Sequence, residues 1–593
     1  MTIPASNLNP PPLGAYAATQ CPRRTHNDFD ETIPKIYGEV EFSPEVQARV
    51  DAGIEFDALI RGRLAQALPN DSVDITERGL FDSEAIAATV AAMDAGVAVI
   101  LGGQLPHDQS VGRRGKPDVL IRTTNRPDGS HAYLPVDIKS HKVFANAKGS
   151  ASAAVISRLT NPAHEQAVAI AELTGRRHEK DALQLAHYWR MLQACERAPD
   201  YHAVGGIIGT DDFDGDYAVL WHDLERRLFK TFSRSSEDGQ SLRSAMERYD
   251  HEFAFRSEVA AVARSRTGDL ADPEPLVEPV YIRECDDCPW FDYCIDQLGE
   301  QDASAGIGRL SAREWLTLRS LGYLHVEDMA SLNLDVIDGS EPVPDTASAQ
   351  ATVALLDQYL PEVGHIQNPR RRLRGAVMAA GMVLNGTHLR RVTQGPIEVP
   401  RADIEIDFDI ESDRETRVYL WGLLITDHAA GTSHFEHVST WEELDEEAEA
   451  ELAARFWQRL TEVIGTARRE GKSALIYHYA SPEPNNLRRI AATGLVPDVP
   501  TPAEVDSMIK ETFIDMYPIM RANYFGRDGL GLKVTATKGA GFSWRDEDPG
   551  GLQSISWLEQ VRDGEHELKQ RILEYNEDDV RATLALREWL TNE

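Results

Sequence analysis

The chain has 593 residues, 42% of them hydrophobic and 26% charged, and a formal net charge of −35. That length exceeds what one hydrophobic core can serve and calls for two to four domains, and the composition is that of a globular protein rather than a disordered or fibrous one. The charge argues against a protein that coats duplex DNA by bulk attraction, yet leaves room for an enzyme whose carboxylates hold metal ions beside a local basic groove.

The Met1 end shows no basic-then-apolar signal pattern, and Pro10–Pro12 reads as a flexible lead-in. No apolar run reaches the roughly eighteen residues of a membrane span, so the expected location is cytoplasmic, without membrane contact. Val46, Val50, Gly53, Asp57, Ile60 and Leu64 recur at steps of four and three, predicting a helix over 44–65 with one inward face. Asp57 lies on that face and Glu55 nearly opposite. A buried carboxylate needs a partner or a metal, which makes Asp57 a candidate ligand; a slightly rotated helix would instead leave it at the margin.

Next, Gly112-Arg-Arg-Gly-Lys-Pro-Asp118 places an aspartate at the start of the apolar strand Val119–Arg122. In Tyr133-Leu-Pro-Val-Asp137-Ile138-Lys139, alternation along a strand puts Asp137 and Lys139 on one side while the Ile138 side chain points into the core. If the two strands pair, two carboxylates and an ammonium converge, with Asp118, Asp137 and Ile138 as the metal-site positions. Hard Mg²⁺ or Mn²⁺ favours such oxygen ligands, and a lysine beside them can position water or stabilise developing charge, which is what phosphodiester hydrolysis requires. A helix follows from Asp181, with Gln184 and Tyr188 adjacent on one face and Leu185, Trp189 and Leu192 on the packing face. Arg113–Lys116 and Arg370–Arg374 are candidate basic patches, though a charge run is usually a solvated face.

Five cysteines in a cytoplasmic setting speak for metal rather than disulfides. Cys285, Cys288 and Cys294 form a cluster that needs a fourth ligand, for which Cys21 is the best candidate, while Cys195, within the Gln184 helix, reads as a core residue or a bystander. The stretch after the cluster is helical, with turns at Gly306, Gly308 and Gly322. Further on, Asp403, Glu405, Asp407, Asp409 and Glu411 share one face of a strand, a charge load that needs water or cations. Val418–Ile425 is a partner strand, Ala474–Glu483 runs from strand into helix, and Tyr575 and Asp579 sit one turn apart on a last helix. Four converging acids (Asp409, Glu411, Glu483 and Asp579) would hold two divalent ions for in-line displacement at phosphorus.

The ordered motifs Gly-x-Pro-Asp118, Asp137-Ile-Lys139 and Gln184-x-x-x-Tyr188 resemble the RecB-type branch of the PD-(D/E)XK nucleases. The resemblance implies that Asp118 and Asp137 bind metal, Lys139 is catalytic, and Gln184 and Tyr188 complete the site. That family usually offers histidine or glutamate on the first helix, where this chain has Phe56-Asp57. Cys21 with Cys285, Cys288 and Cys294 resembles the iron–sulfur staple of nucleases of that branch, implying a structural [4Fe–4S] cluster, with zinc as the alternative. Asp409-Ile-Glu411 and Tyr575-x-x-x-Asp579 resemble the ribonuclease-H-like 3′–5′ exonucleases of the DnaQ type, with Glu483 where an aspartate is usual. Over most of its length, including Ala88–Gln104 with Ala92-Met-Asp-Ala-Gly96, the chain resembles a bacterial family of predicted RecB-like nucleases.

The expected architecture is multidomain α/β: a PD-(D/E)XK restriction-endonuclease-like core with its Fe–S cluster over 1–300, a helical region resembling helix-hairpin-helix modules or serving as a spacer over 301–395, and a ribonuclease-H-like α/β domain over 396–593. The expected function is a Mg²⁺/Mn²⁺-dependent exonuclease on single-stranded DNA or DNA ends in repair. A helicase is a candidate partner, since no phosphate loop for an ATP motor is present. The competing readings are a DNA-binding scaffold with a weak site and an RNA-processing nuclease.

Overall fold

The computed structural model describes residues 12–34, 44–76, 82–149, 151–236, 239–299, 301–546 and 551–593; Pro10, Pro11 and the side chain of Val46 lie outside what is described. The chain divides into two compact units, Met1–Ala376 and Val377–Glu593. The boundary falls inside the helix Pro369–Leu384, so the helical stretch after the cysteines clusters with the first unit.

In the first unit, helices α1 (Pro22–Phe29), α2 (Pro44–Ala67) and α3 (Asp82–Asp94) precede or interleave with the first strands of an eight-stranded mixed sheet. Its strands are β1 (Ser72–Asp74), β2 (Val99–Leu101), β3 (Val119–Arg122), β4 (Tyr133–Ile138), β6 (Ala154–Arg158), β7 (Val168–Ile170), β9 (Val204–Ile208) and β10 (Ala218–Asp223), in the order β1-β2-β3-β4-β9-β10-β6-β7. The short strands β5 (Phe144–Asn146) and β8 (Leu173–Gly175) pair with each other, as do β11 (Phe229–Phe232) and β12 (Gln240–Arg243). All six residues of β4 are buried, as a strand covered on both faces requires. Helix α4 (Glu179–Ala194) lies against β4 and β9 and buries Asp181 through Trp189 without a break. Close approach is possible because β9 carries Gly205, where a Cβ would stand 3.0 Å from Leu185 of α4; a Cβ on Gly206 would instead meet the neighbouring strands, 2.6 Å from Val219 and 2.8 Å from Val136. Helix α5 (Ala245–Arg264) packs on α4 and α1, and its start is closed by the reciprocal Ser244–Glu247 capping box.

The second unit begins with β13 (Leu389–Arg391), which pairs with β19 (Tyr524–Gly526). Its main sheet has the order β16-β15-β14-β17-β18, from β14 (Ile404–Ser412), β15 (Val418–Asp427), β16 (Thr432–Ser439), β17 (Ala474–His478) and β18 (Phe513–Asp515). The first three are antiparallel neighbours, and β17 and β18 add in parallel. Strict alternation divides β14 between two layers. Ile404, Ile406 and Phe408 join the core under the helix Glu446–Arg469, where Phe408, Trp421 and Phe456 stack with ring centres 4.6–6.0 Å apart. The acidic side of the strand lies under the C-terminal helix Leu568–Asn592.

Candidate functional site

The acidic strand of the second unit resolves into two halves. Glu405 and Asp407 are fully buried and neutralised from within: Arg587, itself fully buried, bridges both carboxylates, and Arg401 and His428 complete the shell around Glu405. Asp403 is tied to the Ser473 backbone and hydroxyl. The cations that so much charge demands are therefore arginines for this half of the strand. Desolvation raises the Glu405 carboxyl, but Arg401 and Arg587 outweigh it and bring it down to about 2; at Asp407 burial wins and it rises to about 6.

At the other half, Asp409, Glu411 and Asp579 bring one carboxylate oxygen each within 4.8 Å of one another. Each acid is oriented by a neutral donor. Asn576 Nδ2 gives a hydrogen bond to Asp409 Oδ2 at 2.8 Å, Ser554 Oγ to Glu411 Oε2 at 2.6 Å, and Trp544 Nε1 to Asp579 Oδ1 at 2.8 Å. Lys533 Nζ donates to the Tyr575 hydroxyl at 2.9 Å. Burial, then the neighbouring carboxylates, pushes Asp409 well above the usual range; burial, then Asp579, raises Glu411 to about 8, and burial raises Asp579 to about 6. Three crowded, desolvated acids with raised proton affinity have the chemistry of a divalent-ion site, where a cation would take the place of those protons.

Glu483 is buried at the start of the helix Pro482–Thr493 and stands outside that triplet. Its Oε2 accepts no hydrogen bond and lies 3.6 Å from His478 Nδ1, while its charge contributes to the rise at Asp409. The turn that presents it holds Ala480 at φ 68°, pinned by a hydrogen bond from its N–H to Asp515. Residue-type patterns exposed the acids but not their donors. Asn576 follows Tyr575 directly, whereas Trp544, Ser554 and Lys533 lie in stretches without a recognisable motif.

In the first unit, β3 and β4 pair in the register Val119 opposite Val136, which brings Asp118 against Asp137. Asp118 Oδ2 accepts from the Ile138 N–H at 2.8 Å, so Ile138 contributes its backbone while its side chain is buried. Lys139 Nζ sits 2.6 Å from Asp137 Oδ2 and donates to Gln184 Oε1 at 2.8 Å. Gln184 donates to the Tyr188 hydroxyl at 3.2 Å, which donates to the Lys116 carbonyl at 3.1 Å. Burial, then the Asp137 charge, lifts Asp118 well above the usual carboxylate range; burial lowers the Lys139 ammonium's proton affinity, and Asp137 more than restores it. Asp137 Oδ1 is buried without a hydrogen bond, an orphaned acceptor of the kind a metal ion satisfies. Asp57 is engaged elsewhere: its carboxylate pairs with Arg61 at 2.7 Å, near Asp74. A Cβ on Gly53, one turn earlier, would stand 3.8 Å from Ser140 Oγ.

Lys139 and Gln184 open on a cavity of about 600 Å³, with Tyr16, Arg24, Lys180 and Arg283 also on its walls. Cys21, Cys285, Cys288 and Cys294 line one smaller pocket. No three of their sulfurs lie within 4.8 Å of one another. Burial raises all four thiols, Cys285 to about 12. In the two basic runs Arg114, Lys116, Arg370 and Arg371 are exposed, while three of the arginines are engaged by acids. Arg113 binds Asp108 and Tyr249, Arg372 binds the buried Glu314, and Arg374 binds Asp338.

No helix among the described residues is long and apolar enough to cross a membrane. No curated protein and no solved structure matches this chain. Residues 406–591 match the family model RNase_H_2, of the RNase_H superfamily, a span that begins on β14 and ends within the C-terminal helix and so contains the Asp409, Glu411 and Asp579 triplet. The second unit of this mixed α/β, multidomain chain therefore carries a ribonuclease-H-like domain.

Proposed function

We propose that the chain is a divalent-metal-dependent nuclease acting on DNA with free or single-stranded ends. The observation that carries this reading is the Asp409–Glu411–Asp579 triplet inside the matched ribonuclease-H-like span. Its three carboxylates would hold Mg²⁺ or Mn²⁺, which when bound polarises a phosphoryl oxygen and activates water. Asn576, Ser554 and Trp544 fix the direction of each acid, and Tyr575, with Lys533 on its hydroxyl, stands over the same carboxylates to position the nucleophile.

A second, RecB-like PD-(D/E)XK site in the first unit is favoured by a different observation, the continuous chain Asp118–Ile138, Asp137–Lys139–Gln184–Tyr188. Asp118 and Asp137 are its metal ligands and Lys139 its catalytic cation. The adjacent cavity, with Arg24, Lys180 and Arg283 for phosphates and the exposed Tyr16 ring for a base, suits a single strand. The shared pocket of Cys21, Cys285, Cys288 and Cys294 supports a [4Fe–4S] group. Four thiolates around one zinc ion would all stand about 3.8 Å apart, tighter than an arrangement in which no three of these sulfurs lie within 4.8 Å of one another. A role in repair beside a helicase, with the helices of 303–384 as a spacer or a phosphate-contacting module, completes the proposal.

The test is cleavage of end-labelled single-stranded DNA, duplex DNA and RNA with Mg²⁺ or Mn²⁺ by the wild type, Lys139→Ala and Asp409→Ala. Loss in Asp409→Ala alone assigns the chemistry to the ribonuclease-H-like domain, and loss in Lys139→Ala alone assigns it to the first unit. A wild type that binds DNA and cuts none of the three overturns the nuclease reading in favour of a scaffold.

A further inference from the structure

One group of ligating side chains lies outside both sites. His141 follows Lys139 by two residues on the segment leaving β4, His178 is the residue before α4, and Asp181 is in the first turn of that helix. The three bring one ligand atom each within 4.8 Å of one another. His141 Nε2 is 3.1 Å from Asp181 Oδ2, close to the 3.3 Å or so that separates two ligands about 2 Å from a tetrahedral ion. Asp181 is 8% exposed, and its Oδ2 has no hydrogen bond.

The imidazoles are prepared in a particular way. His141 Nδ1 and His178 Nε2 both lie 3.3 Å from the Lys142 carbonyl oxygen. A carbonyl only accepts, so each ring carries its proton on that side and its lone pair on the other nitrogen, Nε2 of His141 and Nδ1 of His178. A backbone carbonyl that fixes the tautomer of a metal-binding histidine is the usual outer support of such sites. Two imidazoles and one carboxylate suit a borderline transition-metal ion better than Mg²⁺. Asp181 also lines the cavity shared with Lys139 and Gln184, so a fourth coordination position faces the same space.

We propose that His141, His178 and Asp181 form a binding site for a zinc-class divalent ion, open to the cavity beside Lys139, where its free position takes an anionic oxygen such as that of a phosphate. The ion ties the segment after β4 to the start of α4. This site is independent of the nuclease reading, because its readout is metal binding.

The experiment is calorimetric titration of the metal-stripped full-length chain with Zn²⁺, paired with Co²⁺ absorption spectra, for the wild type, Asp181→Asn and His178→Gln. Circular dichroism confirms that each variant keeps the fold. The expected result is that each variant binds one equivalent fewer, or binds that equivalent at least about tenfold more weakly, and loses a Co²⁺ band without sulfur-to-metal charge-transfer character. Inorganic phosphate should shift that band in the wild type. Equal stoichiometry and affinity in wild type and both variants would reduce the trio to an ordinary His–Asp ion pair and overturn the proposal. If His178→Gln cannot be refolded, Asp181→Asn, which preserves shape, decides alone.

Discussion

Gly422 lies on β15 opposite Asp409, and a Cβ at that position would stand 2.9 Å from Asn576 Cγ and closer still to its Oδ1. Gly422→Ala therefore forces the fully buried Asn576 away from Asp409, breaking the 2.8 Å bond that aims that carboxylate. Loss of a buried hydrogen bond to a charged acceptor costs about 1.5–3 kcal/mol, and crowding a packed core adds about 1–3 kcal/mol, so about 2.5–6 kcal/mol is expected in sum. For a unit of the size of Val377–Glu593 that corresponds to a melting shift of about 10 °C. Scanning calorimetry of the full chain reads the shift, and Mn²⁺ titration reads the accompanying loss of affinity. The decisive comparison is a double-mutant cycle, because Asn576→Ala removes the group that is struck. Gly422→Ala should cost little in that background. An equal penalty in both backgrounds, or unchanged Mn²⁺ affinity in the single variant, would refute the account of Asn576 as the residue that positions Asp409.

Three other outcomes follow from the geometry. Arg587→Met leaves Glu405 and Asp407 as buried carboxylates without their shared cation and should destabilise by about 3–5 kcal/mol in denaturant titration. In the metal-free chain, Glu411 and Asp579 titrate above their unfolded values, so the stability they contribute is present below about pH 4 and lost as pH rises through about 6 and then about 8. The metal-free melting temperature should accordingly fall across that window, Glu411→Gln should flatten the upper part, and Mn²⁺ should restore what is lost at pH 8. Gly206→Ala, which drives a methyl against Val219 and Val136 in the central sheet, should cost about 1–3 kcal/mol by thermal melting.

How much of this is legible in the residues depends on whether a pattern is local. Alternation around Asp137 and Lys139 suffices to place both on one side of a strand, and the acidic alternation of 403–411 is enough to mark out β14. The division of that charge leaves no such sign, because Arg587 is 180 residues from Asp407 and belongs to a helix whose sequence signals only Tyr575 and Asp579. Helical periodicity puts Asp57 on the inward face, but Arg61, one turn further along the same helix, is the cation that occupies it. Tertiary pairings such as Trp544 with Asp579 or Ser554 with Glu411 leave no periodic trace at all. The same holds for His141, His178 and Asp181, which are drawn together only when α4 crosses β4.

Within the first unit, the segment Cys21–Asp28 is tied to residues 277–297. Arg23 on α1 reaches the Val277 carbonyl and Gln297, the Cys21 N–H is held by Glu284, and Trp290 reaches back to Asp28, while the flank of α1 rests on α5. During synthesis, then, α1 gains the face of α5 once the chain has grown through residue 264, and the ties of its segment to Val277, Glu284, Trp290 and Gln297 are complete only past residue 297. The strands and α4 can assemble around Lys139 before that moment, with Leu13 bridged to Arg113 to bring in Tyr16, but Arg283, Glu284 and Asp287 complete the cavity wall only when the ring of chain closes. Completion of the cavity is thereby timed to the synthesis of residues 283–287, so a ribosome-bound fragment ending before that point would carry Lys139 without that part of the wall.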